Sequence, residues 1–355
     1  EEAEPRRIPH PAGGCAQTIE VLSDGIVRGK IDISPTRLKK DKRRMHVLPV
    51  PCHLQIRLNL QKQQVQTDIE HRQKFMNLAI QSIGSSSSGN SYLITDGTTH
   101  LLLDVGLSGK NIRAALADAN ISEDAVSGIL VTHEHADHVK SIRMMSRICE
   151  NAEVIASRGT AHNCDKFQYV PEDRLRYFSA QDETRIGDIQ IKGFALSHDA
   201  SEPLGFSFRK DNTKVTVVTD TGTVTDEIYE EIRTSDVLVM EANHEVSMLE
   251  MGPYPYPVKR RILSDQGHLS NVACGEALTR MLEDRPSLSL AGHPCEDGKL
   301  ALPKILLAHL STTNNTPFNA ALTVRDVLDQ NDYHKNVNFR MEVAAKSAAG
   351  PLIGF

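Results

Sequence analysis

Val131-Thr132-His133-Glu134-His135-Ala136-Asp137-His138 places four residues able to bind metal within six positions. The loop follows the apolar run Gly128-Ile129-Leu130-Val131, which reads as a buried strand. A chain leaving a strand end turns sharply, so closely spaced side chains in such a loop can converge on one point. His133 and His135, one residue apart, suit one metal; Asp137 and His138 can turn toward a second beside it. Imidazole and carboxylate without thiolate form the ligand set of zinc, manganese or iron in a catalytic centre that keeps an open position.

One loop cannot saturate two metals, so further ligands are expected at strand ends downstream. His198 follows the strand 189–196, Asp220 follows 215–219 and His309 follows 305–308. Around these candidates the coarse pattern is of short apolar strands at 78–83, 91–95, 99–104, 128–132, 153–156, 189–196, 205–209, 214–219, 237–240 and 305–308. Helical spacing is seen after Ser108 and after Asp137, near 160–168, and at 257–263 and 272–282. Two strand-rich halves, each with helices, imply an α/β protein of two packed sheets covered by helices on both outer faces.

The 355 residues are ordinary in composition for a globular chain, with 39% hydrophobic and 24% charged residues. No apolar stretch is long enough to cross a bilayer and the start shows no secretory signal, so a cytoplasmic protein without membrane partners is expected. Six scattered cysteines with no Cys-x-x-Cys pair argue against a disulfide framework or a zinc ribbon. The net charge of -6 is uneven: residues 1–75 hold 14 Lys and Arg against 9 Asp and Glu, leaving 26 against 37 in the rest. An acidic main domain is a poor partner for nucleic acid unless metals and local basic groups reverse the field near the site.

Residues 1–75, with the basic run Lys39 to Arg44, read as an N-terminal extension, either disordered or not native to the functional protein. The catalytic domain is placed at 76–345, with a surface insertion at 285–304 and a C-terminal tail at 346–355.

The ordered phrases Ile83 to Asn90, Asp104 to Ser108, Thr132 to His138, Ser197 to Ala200, Thr219 to Gly222, Arg260 to Asp265 and Gly267 to Asn271 resemble the metallo-β-lactamase superfamily. Within it they resemble the YycJ/WalJ group of metal-dependent 5'-to-3' exonucleases acting on double-stranded DNA. The resemblance implies a four-layer αββα sandwich and covers about 76–332; residues 1–75, the 285–304 stretch and the tail have no counterpart. It further implies two divalent metal ions, zinc or manganese. His133, His135 and His198 would hold one, Asp137, His138 and His309 the other, and Asp220 would bridge them. Asp236 to Asn243 and Gly267 to Ser270 also resemble phrases of the tRNA 3'-processing ribonucleases, which implies His268 as proton donor to the leaving oxygen and Glu241 as its orienting partner.

The reaction expected is hydrolysis of a DNA phosphodiester by metal-bound hydroxide, which Asp137 would orient. Ser85, Ser86, Ser87 and Asn90 could contact phosphate through hydroxyls and backbone N–H groups, and Lys259, Arg260 and Arg261 through charge. The competing reading keeps the metals and changes the substrate to a thioester, lactone or β-lactam, which suits the acidic domain. A metal-free scaffold would require a missing ligand, and none is missing.

Overall fold

The computed structural model describes residues 77–287 and 299–355 with 293, 295 and 296, and two strands near the start, β1 (Ile19–Val21) and β2 (Val27–Gly29). The chain divides into two compact units, 1–60 and 61–355. Of the first, only the antiparallel pair β1–β2 is described. The basic run 39–44 and the expected domain boundary at 75/76 lie outside the described residues.

The second unit is built on two seven-stranded sheets. Sheet one contains β3 (Ala79–Gly84), β4 (Ser91–Thr95), β5 (His100–Leu103), β6 (Val126–Leu130), β7 (Glu153–Ala156) and β8 (Leu175–Tyr177). Sheet two contains β9 (Glu183–Ile186), β10 (Ile189–Ala195), β11 (Leu204–Lys210), β12 (Thr213–Val218) and β13 (Val237–Glu241). After the small hairpin β14 (Cys295–Glu296) and β15 (Lys299–Leu300), β16 (Lys304–Ala308) and β17 (Arg340–Val343) complete sheet two. The final strand, β18 (Leu352–Gly354), returns to sheet one and pairs antiparallel with β3. Residues read from sequence as a tail thus supply an edge strand of the first sheet.

Alternation along these strands decides the layering. Tyr92, Ile94, Leu101, Leu103 and Leu130 face Phe206, Phe208, Val215, Val217 and Val239 across the space between the sheets. Their neighbours Leu93, Leu102 and Ile129 point the other way, into a second core with Ile112, Leu116, Ile142 and Met145. On the far side, Leu238, Met240, Ile305 and Leu307 pack with Leu278, Met281 and Val324. Because most central strands are buried on both faces, they read in sequence as continuous apolar runs. Three apolar layers separate four structural ones, so the fold is the αββα sandwich of the α/β class.

The helices on sheet one are α1 (Gly109–Asp118), α2 (Ala136–Val139), α3 (Ile142–Ile148) and α4 (Arg158–His162). Those on sheet two are α5 (Asp226–Ile232), α8 (Asn271–Asp284) and α9 (Pro317–Asp329), while α6 (Val246–Met251) and α7 (Tyr256–Ile262) add no residue to that core. Ser108 and Ser270 start α1 and α8 by accepting from Asn111 N–H and Ala273 N–H, the capping expected of serine at a helix entrance. Cys149, Cys164 and Cys274 are buried free thiols. Among the described residues, no helix is long and apolar enough to cross a membrane.

The expected insertion at 285–304 is described only in part. Its first residue, Arg285, is buried, and its guanidinium donates to the Ser235 carbonyl at 2.9 Å and the Ala301 carbonyl at 3.1 Å, tying the two ends of the segment together.

The segment after β5 braces the loop after β6. Val105 N–H donates to the His138 carbonyl at 2.9 Å, and Asn90 N–H to the Asp137 carbonyl at 2.8 Å. Gly106 sits so close that a Cβ there would lie 1.5 Å from the Asp137 carbonyl oxygen. Gly106→Ala must therefore displace the Asp137–His138 peptide. Titration against a competing chelator should show metal affinity at least about tenfold weaker, the scale seen when groups supporting a ligand are lost, whereas Gly350→Ala, with 3.8 Å of clearance, should match the parent.

Candidate metal centre

Strands from both sheets end at one edge of the sandwich. β6 delivers His133 to His138, while β10, β12 and β16 of sheet two deliver His198, Asp220 and His309, and β13 ends on Glu241 itself. Asp220 and His309 have φ of 61° and 54°, and Asp104, at the end of β5, has 58°. This left-handed conformation costs an ordinary residue about 1–2 kcal/mol. It lets the chain turn back at the strand end while the side chain stays over the sheet edge.

His133, His135 and His198 offer ligand atoms within 4.8 Å of one another, as do Asp137, His138 and His309. Asp220 lies between the two sets: its Oδ2 is 3.2 Å from His138 Nε2, and its Oδ1 is 3.4 Å from His309 Nε2 and 3.7 Å from His198 Nε2. Asp137 Oδ2 stands 3.5 Å from His138 Nε2 and 3.4 Å from His309 Nε2.

Groups behind the rings fix which nitrogen faces inward. Asp104 Oδ2 accepts from His138 Nδ1–H at 2.7 Å, and Glu241 Oε1 accepts from His309 Nδ1–H at 2.8 Å. The Gly267 carbonyl accepts from His198 Nδ1–H at 3.0 Å, and the Thr132 hydroxyl lies 3.0 Å from His133 Nδ1. In each of these rings Nε2 is left for the centre. Metal-binding histidines typically use one nitrogen as ligand and anchor the other in this way.

The residues fit a metal on three counts. Among the described residues, His133 Nε2 is buried with no hydrogen-bond partner, and Asp220 Oδ2 is buried without a hydrogen bond despite its proximity to His138. His198 Nε2 faces His135 Nδ1 at 3.3 Å, a meeting of two imidazole nitrogens that calls for a cation or proton between them. The donor set is the hard-to-borderline His and Asp mixture of zinc and manganese sites.

Burial, opposed by few favourable charges, keeps His133 well below the usual imidazole value, and burial also lowers His198; both are neutral and ready to donate a lone pair. His138 and His309 behave oppositely. Burial works against their charge, but Asp220 and Asp104 lift His138 well above the ordinary value, and Asp220, Asp137 and Glu241 lift His309 to about 10. The same contacts, against burial, hold Asp137 and Asp220 far down and Glu241 at about 2.

Glu241 and His268 form the third part of the site. Glu241 is fully buried, so it is not a surface acid. Its Oε1 accepts from His268 Nδ1–H at 2.9 Å as well as from His309, and its Oε2 accepts from Thr221 N–H at 2.9 Å and Leu269 N–H at 3.1 Å. His268 retains 18% side-chain exposure, and its pKa is raised by Glu241 against the effect of burial.

The other sequence candidates divide. Asn90 is buried beside the centre, with Nδ2 3.2 Å from His138 Nε2 and 3.5 Å from Asp137 Oδ2. Ser85 is spent inside: its hydroxyl accepts from His309 N–H at 2.9 Å and lies 2.7 Å from the Tyr92 hydroxyl. Ser86 is also buried, its hydroxyl 2.9 Å from that of Ser88, while Ser87 is exposed. Lys259 donates to the Glu250 carbonyl at 2.6 Å, and Arg261 is engaged by Asp199, so among the described residues only Arg260 of that trio lacks an ion-pair or carbonyl partner. Asp104, Thr132 and Asn243, which hold site residues from behind, were not singled out from sequence. Asp104 carried a usable signal, since it ends an apolar strand just as Asp220 does.

A sequence profile of the Beta-lactamase superfamily domain matches residues 99–289. The chain is 36% identical over 259 residues to the exodeoxyribonuclease YycJ of Bacillus anthracis, covering 73% of this chain and 92% of that one. It is 34% identical over 273 residues to the exodeoxyribonuclease WalJ of Streptococcus pneumoniae, covering 76% and 95%. The chain belongs to the metallo-β-lactamase superfamily and to its YycJ/WalJ-like group. It is a metal-dependent hydrolase. The fold agrees with the metallo-beta-lactamase fold protein YhfI from Bacillus subtilis at a TM-score of 0.55 with 13% identity, over 77% of this chain and 98% of that one. Zn(2+)-bound PqqB from Methylobacterium extorquens gives 0.54, also at 13%, over 77% and 99%.

His138 and His309 are protonated at neutral pH in the metal-free centre, and a ring nitrogen must lose its proton to bind a metal. Uptake of zinc at pH 7 should release close to two protons, measured by calorimetry in buffers of different ionisation enthalpy. Above the pKa of about 10 for His309, that residue's share of the release should vanish. Uptake at pH 7 without proton release would contradict this reading of the two rings.

Proposed function

We propose that the protein hydrolyses DNA phosphodiesters as a dinuclear-metal 5'-to-3' exonuclease on double-stranded DNA, with zinc or manganese as the metal. The observation that carries the proposal is the pairing of two ligand triads about the buried Asp220 with the adjoining partly exposed His268, which the buried Glu241 links to His309. His133, His135 and His198 would hold one ion, Asp137, His138 and His309 the other, with Asp220 shared between them. The direction of digestion and the duplex substrate are taken from the group to which the chain belongs.

Two such ions, when bound, supply a nucleophilic water acidic enough to ionise at neutral pH and neutralise charge on the phosphoryl oxygens. The protein's own groups do the rest. Asp137 Oδ2, 24% exposed as a side chain and close to both His138 and His309, is placed to accept a hydrogen bond from the attacking water and so aim it. His268, fixed through Nδ1 by Glu241, is left with Nε2 as its transferable position, and the Glu241 carboxylate favours its protonated form against the effect of burial. A general acid in that state can hand its proton to the departing sugar oxygen. Glu241 has no proton to give, since four donors surround it; it positions His268 and His309.

Digestion of a blunt duplex labelled at one 5' or one 3' end tests the proposal. Early release of labelled mononucleotide from the 5' end alone is expected; intact DNA alongside a hydrolysed thioester, lactone or cephalosporin would replace it with a carbonyl hydrolase. Asp137→Ala should abolish turnover while the circular dichroism spectrum is retained. His268→Gln should lower kcat by about 10²–10⁴-fold, the usual contribution of a general acid. Because the acid works only when protonated, the parent's kcat should fall as pH rises through the raised His268 pKa, and this alkaline limb should be absent in the variant.

A further inference from the structure

Four cations have no carboxylate partner among the described residues: Lys140, Arg143 and Arg147, which closely follow the metal loop in sequence, and Lys166, from the segment Asp165–Tyr169. Lys140 lies two positions beyond His138, where α2 ends. Arg143 and Arg147 are one turn apart on α3, so they share a face, while Ile142 and Met145 turn the opposite side into the core. Lys166, from the 3₁₀ segment after α4, reaches back until its Nζ is 3.3 Å from the Val139 carbonyl. Arg143 lies over the ring of Tyr169, in the same segment, at 3.9 Å.

Lys140, Arg143 and Arg147 line an open groove of about 1040 Å³ between α3 and the start of α1. Of the acidic residues that share it, Glu123 is already held by Arg113 at 2.6 Å, and Asp124 and Glu150 remain. The local balance is therefore positive, within a domain that carries 37 acidic against 26 basic residues. Of the trio Lys259 to Arg261, Arg261 is engaged by the Asp199 carboxylate, while Lys259, like Lys166, donates to a backbone carbonyl. From Arg143 to Arg147, within α3, the chain advances about 6 Å at helical rise, which corresponds to about two base steps at ~3.4 Å per strand.

Resting on the nuclease reading above, we propose that Lys140, Arg143, Arg147 and Lys166, juxtaposed along α2, α3 and the 165–169 turn, form a track for the phosphate backbone of the duplex whose end is held at the metal centre. Contacts of this kind neutralise phosphates without reading bases, so they fix the position of the strand and give binding a steep dependence on salt.

The test compares the metal-loaded parent with Lys140→Gln/Arg143→Gln/Arg147→Gln, with Lys166→Gln, and with the charge-preserving Arg143→Lys/Arg147→Lys. Affinity for a short fluorescent duplex is measured over a salt series, and kcat/KM is measured on the same duplex and on thymidine 5'-(p-nitrophenyl) phosphate, which is too small to reach the track. At about 0.9 in log–log slope per phosphate contact, the triple variant should lose roughly two to three in slope, Lys166→Gln roughly one, and the lysine pair little. The ratio of duplex to small-diester kcat/KM should fall at least about tenfold in the triple variant.

A triple variant with the parent's slope and ratio would overturn the track, as would a parent that does not bind duplex. A parent that binds duplex with a steep slope but hydrolyses neither substrate would sink the nuclease reading alone, because the variants' binding slopes still judge the track.

Discussion

Two buried carboxylates hold the centre in place. Asp104 and Glu241 lie beneath it, at the ends of β5 and β13, and each anchors an inward-facing imidazole by Nδ1. A carboxylate removed from water is costly unless its oxygens are satisfied. Here they are: Asp104 also accepts from Thr132 N–H and the Thr132 hydroxyl, and Glu241 from two backbone N–H groups and a second imidazole. That dense bonding fixes the orientation of the His138 and His309 rings. It turns both Nε2 atoms toward Asp137 and Asp220, where a divalent cation would take the place of their protons.

The sandwich is the means of delivering these groups. Strands that share a direction bring their ends to one edge, so residues as far apart as Asp137 and His309 become neighbours without any long loop. Hydrogen bonds cross between the halves at the same edge: Leu204 N–H donates to the Thr132 carbonyl at 2.9 Å, and the Ser85 hydroxyl accepts from His309 N–H. The three apolar layers behind the edge make it rigid, and rigidity is what allows seven candidate ligands to be held close together before any ion arrives.

Much of this was legible in the sequence, and the reasons are physical. Central strands such as β5, β6 and β13 are buried on both faces, and their unbroken apolar runs are hard to mistake. Candidate ligands at the ends of such runs, from His133 to His309, stood out because polar residues of metal-binding type interrupt the runs abruptly. The edge strands β8, β9, β17 and β18 were not read, since each is short and partly exposed and so lacks an apolar run. α9 was missed although Thr316-Pro317 is a good helix entrance. Hydrogen-bond commitment is invisible to composition: Ser85 and Arg261 looked available for phosphate, and only the fold reveals Tyr92 and Asp199 occupying them. The cations of α2 and α3, which have no carboxylate partner among the described residues, are hidden for the converse reason, because charges scattered at positions 140, 143 and 147 come together only once the helices are built.

The central claim is that Asp220 joins two metal positions, each completed by its own triad. The most direct measurement is anomalous diffraction from crystals loaded with manganese or zinc. The account predicts two peaks flanking the Asp220 carboxylate, one among His133, His135 and His198 and the other among Asp137, His138 and His309. A single fully occupied peak with the other triad hydrogen-bonded to water, or peaks that leave Asp220 uncoordinated, would contradict it.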